Sequence, residues 1–234
     1  ISGGDSGIGR AVAIAFAREG ADVAIAYLNE HADAQETLAW VHKEKRRGIS
    51  FAGDLGNADH CRRVVEDSAS ALGGLNLLVN NAALHFEQCD FTAISPSQLE
   101  MTFRANVFSA FWLTQAALIH LKEGDAIINT GSVVALRGHP KLIDYAATKG
   151  ALHNLTKSLA QALAPRGLRV NCVAPGPVWT PLIPSTREPE HVAKFGADTV
   201  WGRPAQPAEI APSFVFLAST DARYYTGEIL SPSG

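Results

Sequence analysis

Cysteine is scarce. The three in 234 residues, Cys61, Cys89 and Cys172, stand far apart and without metal-ligand spacing, so they read as reduced thiols of a cytosolic protein. The eight histidines form no HxH, HxxxH or HExxH pattern, and no metal site is expected. No long run of either charge sign exists, and the formal charge of -3 leaves no electrostatic footprint for nucleic acid or an anionic membrane. No stretch is long and apolar enough to span a bilayer. Internal repeats and low-complexity linkers are also lacking. These absences leave one large soluble α/β domain covering 1–234, with a cytoplasmic location expected. Ile1 reads as the end of a β-strand, so the first strand is expected to begin upstream of it.

Glycine, by contrast, is concentrated at the start: ISGGDSGIGR holds four in ten residues. Ser6 to Glu19 then shows a helical apolar face through Ile8, Val12, Ile14, Ala15 and Phe16. Strands are expected at Val23–Tyr27, Ser50–Ala52, Leu75–Val79, Ala126–Asn129, Arg169–Val173 and the terminal GEIL. Helices are expected between them, at Ala32–Arg46, Ala58–Leu72, Ser97–Leu121, Tyr145–Leu163 and Pro207–Ser219. Continuously apolar strands alternating with helices imply a doubly wound, Rossmann-type parallel sheet covered on both faces. The proline-rich stretch 177–206 lacks a clear period and reads as a substrate-side flap.

Three constellations carry chemistry. Gly3, Gly7 and Gly9, placed between a strand and a helix, allow a tight turn and a close approach to a pyrophosphate. The free amides and positive end of the helix would stabilise that anion. Tyr145 and Lys149 are spaced i, i+4 and share one helix face. An ammonium beside the phenol is expected to lower the tyrosine pKa, making Tyr145 a general acid for a carbonyl or a base for an alcohol. Ser132, just beyond a strand, would stand at the carboxyl edge of the sheet and donate to a substrate oxygen.

Together these residues resemble the short-chain dehydrogenase/reductase family over essentially the whole chain. SGGDSGIG looks like its TGxxxGIG loop with Ser2 in the threonine place, and NNAA at 80–83 looks like NNAG. PGPVWT looks like its PG motif. The likeness extends to the branch of NADP-dependent aldehyde reductases and glucose/ribitol-type dehydrogenases. It implies a catalytic set of Asn106, Ser132, Tyr145 and Lys149, with Asn106 supporting a water relay from Lys149. It implies a cofactor surface of Gly3, Asp5, Ser6, Gly7, Ile8, Gly9, Tyr27, Asp54, Leu55, Asn81, Ala82 and Ala83. Tyr145, Lys149, Pro175, Gly176, Val178 and Thr180 complete it. Two departures stand out: Ala83 sets a methyl where the motif has glycine, and Gly131 precedes Ser132 where serine is frequent, which is expected to loosen the strand end.

Tyr27 ends its strand without the carboxylate that would bind a ribose 2′-OH. The reading leans to NADP(H), with Arg10 as the nearby cation, and NAD(H) stays open. His85, Phe86, His139, Trp179 and the flap are expected to line the pocket of a small carbonyl or alcohol substrate. The expected function is hydride transfer with an aldehyde, ketone, sugar or polyol. A dinucleotide-binding regulator on the same fold is the alternative. A homodimer or homotetramer is implied by the resemblance.

Overall fold

The structure is a computed structural model that describes residues 1–186, 192 and 194–234. Its strands are β1 (Val23–Tyr27), β2 (Gly48–Ala52), β3 (Leu77–Asn80), β4 (Ala126–Thr130), β5 (Arg169–Val173) and β6 (Ile229–Leu230). All pairings are parallel, β1 with β2 and β3 through β6 in chain order. Ile1 to Gly3 join the two sets. Ser2 pairs with Ala26 of β1, and its amide donates to the Val79 carbonyl of β3 at 3.0 Å. The chain thus winds outward to β2 and returns past its own start to β3. That reversal of order leaves a crevice at the carboxyl ends of the strands, where open α/β sheets bind ligands.

Helices cover both faces, as the unbroken apolar strands require; β4 and β5 are buried along their whole length. On one face lie α1 (Gly7–Arg18), α2 (His31–Lys43) and α9 (Pro207–Ala218). Val12, Phe16, Leu38, Val41, Ile210 and Phe214 interlock there with Ile25 and Val173. On the other lie α3 (Ala58–Leu72), α5 (Ser109–Ala117) and α7 (Ile143–Leu163), through Val64, Leu113 and Leu163 against Ile127 and Val170. The Arg169 guanidinium donates to the Leu217 and Ala222 carbonyls at 2.6 and 3.2 Å. A cation at the negative end of α9 favours both groups.

The single helix expected over Ser97–Leu121 is three pieces: α4 (Pro96–Phe103), a π-helical turn at Arg104–Phe108, and α5. Short helices α6 (Val134–Arg137) and α8 (Leu182–Thr186) were not expected from the pattern. The flap read over 177–206 is tied at its base, where Val178 bridges Ala205 and the Trp179 amide donates to the Ala205 carbonyl at 2.8 Å. Its residues 187–191 and 193 lie outside the described ones. No helix among the described residues is long and apolar enough to cross a membrane.

Phe214 is fully buried between α1 and the sheet. Phe214→Ala is expected to lower unfolding stability by about 3–5 kcal/mol, read as a fall in urea midpoint, because the cavity cannot close between three elements.

Candidate active site

Parallel register delivers the loop after every strand to one edge, and the candidate residues gather there. They line one cavity of about 940 Å³, at the upper end of the size usual for small-molecule sites. Every residue of the expected cofactor surface lines it except Gly9. Gly9 instead lets α1 approach the turn: a Cβ there would run into the Gly3 carbonyl. Gly7 takes φ +52°, a left-handed conformation that favours glycine. The first amides of α1 have no carbonyl partners within the helix, so the turn offers an anion donors and a positive helix end. A pyrophosphate fits this cradle.

Ser2 does what a threonine hydroxyl would do. Its Oγ accepts from the Asn81 and Ala82 amides at 2.8 and 3.0 Å. Asn81 Nδ2 donates back to the Ser2 and Gly3 carbonyls at 3.1 and 3.0 Å. Ala83 sits in ordinary backbone, since Lys45 alone among the described non-glycine residues has positive φ. The methyl at 83 therefore demands no left-handed backbone.

At the ribose end, Tyr27 directs its hydroxyl to His31 Nδ1 at 2.8 Å. Asp54 is fixed by the Gly56 amide, which donates to Oδ1 at 2.7 Å. Arg10 is already engaged. Its guanidinium pairs with Asp33 at 3.0 Å and Glu36 at 2.7 Å, and Nε donates to the Asp5 carbonyl and Thr37 hydroxyl. Glu30 and Asp33 line the same wall. Burial, with their charges adding, raises the Asp5 pKa.

On the cavity wall, Tyr145 and Lys149 stand one turn apart on α7, and Ser132 lies near enough to the phenol to favour its charged form. Lys149 is 1% exposed and donates from Nζ to the Thr130 carbonyl at 2.7 Å. Burial pushes its pKa down to about 8. Burial also pushes the Tyr145 phenol up to about 12, against the pull of Ser132. The expected lowering by Lys149 is thus overturned in this arrangement: Nζ lies 5.5 Å from the ring centroid and its proton goes to Thr130. The phenol is protonated at neutral pH, the state a general acid needs.

Asn106 does not line the cavity. From the π turn, its Oδ1 accepts from the Leu84 amide at 2.8 Å, and Nδ2 donates to the Leu84 carbonyl at 2.9 Å and Thr148 Oγ1 at 3.1 Å. It fastens the loop after β3 to α7. That loop presents His85, buried and edge-on to the Tyr145 ring at 5.3 Å. His139 also lines the cavity, whereas Phe86 and Trp179 do not. Asp144 was missed by sequence reasoning. Buried, it accepts from Gln98 at 3.0 Å and Thr102 at 2.9 Å, tethering the start of α7 to α4. An aspartate beside the YxxxK pair was its one available signal.

The phenol should titrate late because burial favours its neutral form. The near-ultraviolet difference between wild type and Tyr145→Phe is expected to show no phenolate up to the ordinary tyrosine value of 10.0. Absorbance appearing below it would contradict this electrostatic balance.

The family described as enoyl-(acyl carrier protein) reductase matches residues 3–234. The chain is 48% identical over 241 residues to "NADPH-dependent aldehyde reductase 1, chloroplastic" of Arabidopsis thaliana, covering all of this chain and 84% of that one. It is 47% identical over 240 residues to "Glucose and ribitol dehydrogenase" of Daucus carota, covering all of this chain and 82% of the other. A crystal structure of a short chain dehydrogenase from Burkholderia cenocepacia J2315 in complex with NADP superposes with a TM-score of 0.94 at 32% identity. The match covers 100% of this chain and 95% of that one. With that coverage, the glycine turn and the edge-on cluster acquire a name: the chain belongs to the short-chain dehydrogenase/reductase family of oxidoreductases.

Proposed function

We propose that this oxidoreductase interconverts a carbonyl and an alcohol through Ser132, Tyr145 and Lys149, on an aldehyde, ketone, sugar or polyol. The observation that carries the reading is that Ser132, Tyr145 and the buried ammonium of Lys149 line one cavity together with the glycine turn. A bound nicotinamide dinucleotide supplies hydride donor and acceptor chemistry. The amides of the glycine turn would hold its pyrophosphate, and Lys149 its nearer ribose. Ser132 orients the substrate oxygen by hydrogen bonding, and the Tyr145 phenol gives that oxygen its proton in reduction. In oxidation the same oxygen, as the phenolate, takes the proton back. Asn106 acts by positioning the Leu84 loop and α7; a water relay from Lys149 is part of the reading. Polar side chains on the cavity wall, His139, Lys141 and Arg137 among them, suit a hydroxylated substrate. A homodimer or homotetramer would assemble through α4, α5 and α7, where Phe108 and Phe111 on the π turn and α5 are exposed.

Tyr145→Phe is expected to lower turnover by about 10²–10⁴-fold while leaving dinucleotide binding, read by fluorescence titration, within error of wild type. Unchanged turnover would remove Tyr145 from the chemistry. Tight binding with no turnover by wild type across a broad carbonyl and alcohol panel would favour a dinucleotide-binding regulator.

NADP(H) is the form we propose, supported by the names of the aldehyde reductase and the NADP-bound neighbour. One observation favours NAD(H) as a second reading. The ribose end presents Glu30 and Asp33, and Arg10 is held in ion pairs, so a 2′-phosphate must draw Arg10 from its partners. Fluorescence titration of the intact chain separates them. NADPH binding about tenfold tighter than NADH, roughly 1.4 kcal/mol, is expected; equal or tighter NADH binding would install the second reading.

A further inference from the structure

Beneath the turn that carries Ser132 lies a side chain outside the machinery described so far. His153 stands one turn beyond Lys149 on α7, so Tyr145, Lys149 and His153 form one stripe at i, i+4 and i+8. It is 7% exposed, and the Ser132 amide donates to its Nε2 at 3.5 Å. Gly131 gives a second, independent view of the same fit. A Cβ there would run into the His153 ring and come within 2.7 Å of Cys172 Sγ on β5. The imidazole therefore fills the volume that a side chain at 131 would need. Gly131 itself donates to the Val173 carbonyl at 2.7 Å. Two consecutive amides are thus anchored, one on β5 and the next on the imidazole, at the strand end that Gly131 is expected to loosen.

An acceptor at Nε2 requires a bare nitrogen there, so the ring must be neutral with its proton on Nδ1. Burial, with the charges of Lys149 and Lys157 adding, lowers its pKa and favours that state.

We propose that His153 is a positioning residue for Ser132: accepting through Nε2, its ring holds the Gly131–Ser132 turn so that the serine hydroxyl meets the Tyr145 phenol. The inference rests on the Ser132–Tyr145–Lys149 reading and adds a second layer to it. A histidine that merely fills space would need no particular tautomer and no acceptor.

Two measurements on the intact chain test it. Imidazole nitrogen NMR shifts of wild type at neutral pH report the tautomer without any substrate. Protonated Nδ1 with bare Nε2 is expected; protonated Nε2 or an imidazolium overturns the proposal. Turnover of glyceraldehyde with NADPH is then compared among His153→Leu, His153→Gln, Ser132→Ala and the Leu/Ala double variant. His153→Leu should lower kcat by about tenfold, in keeping with the sensitivity of catalysis to misplacement, with dinucleotide affinity unchanged. His153→Gln, which restores an acceptor, should recover most of that loss, and the double variant should be no worse than Ser132→Ala alone. A fall in turnover for Ser132→Ala with wild-type turnover in His153→Leu overturns the role of His153 only. Wild-type turnover in Ser132→Ala, or none in the wild type, overturns the reading beneath it as well.

Discussion

An ammonium enclosed in an apolar interior must find a partner, because the cost of stripping its water is otherwise prohibitive. Lys149 meets this requirement with the Thr130 carbonyl, at the last residue of β4. That one bond ties α7 to the carboxyl edge of the sheet. Tyr145, one turn earlier on the helix, and Ser132, two residues past the strand, are thereby brought face to face. The constraint runs further. The Thr130 hydroxyl donates to Asn81 Oδ1 at 3.2 Å, and Asn81 Nδ2 donates to the Gly3 carbonyl. A continuous polar path therefore connects α7 to the glycine turn, through groups that are all hydrogen-bonded to one another.

The same burial sets the electrostatics and has a thermodynamic sign. Lys149 is held at about 8 from an ordinary 10.5. Between those values the unfolded chain binds more protons at this site, so its contribution to stability rises with pH. Tyr145, held at about 12 from 10.0, does the reverse. The folded chain keeps its proton through that window, and the contribution falls as pH rises. At neutral pH Lys149 opposes folding, while the buried phenol adds no such penalty in its neutral form. Apolar packing elsewhere must offset this, notably the wholly buried β4 and β5 with Phe214 and Leu152 buried on the helices beside them. Shifts of this kind, caused by burial, cluster where function needs groups out of water, which agrees with the role proposed for this cavity.

What the sequence made legible follows from what leaves a periodic or compositional trace. The strand–glycine–helix order, the YxxxK spacing and the serine after β4 are local patterns, and the structure brings all three to one cavity. The π turn at Arg104–Phe108 left no trace, because one widened turn barely disturbs a run of apolar residues such as FSAFWL. Its effect is nonetheless specific: it sets Asn106 against both polar groups of the Leu84 peptide. Gly9 was legible as a glycine of the loop but not as a packing residue, since its neighbour Gly3 is reached only after the chain turns. Arg10 shows the same limit. Its charge was visible at the helix start, while its partners Asp33 and Glu36 come from α2 and depend on how the two helices dock.

The departures from the family pattern become intelligible once volume and hydrogen bonding are considered separately. Ser2 for threonine keeps the oxygen that two amides require and gives up only a methyl. Ala83 for glycine adds a methyl in backbone that any residue can adopt. Gly131 for serine removes a side chain, and His153 takes up the space from below. Each departure changes the volume beside the cavity. The volume moves furthest beneath Ser132, the residue whose hydroxyl must be aimed most closely. The imidazole of His153 occupies the volume that a side chain at 131 would need and accepts from the next amide, so the pair at 131 and 153 is read as one unit.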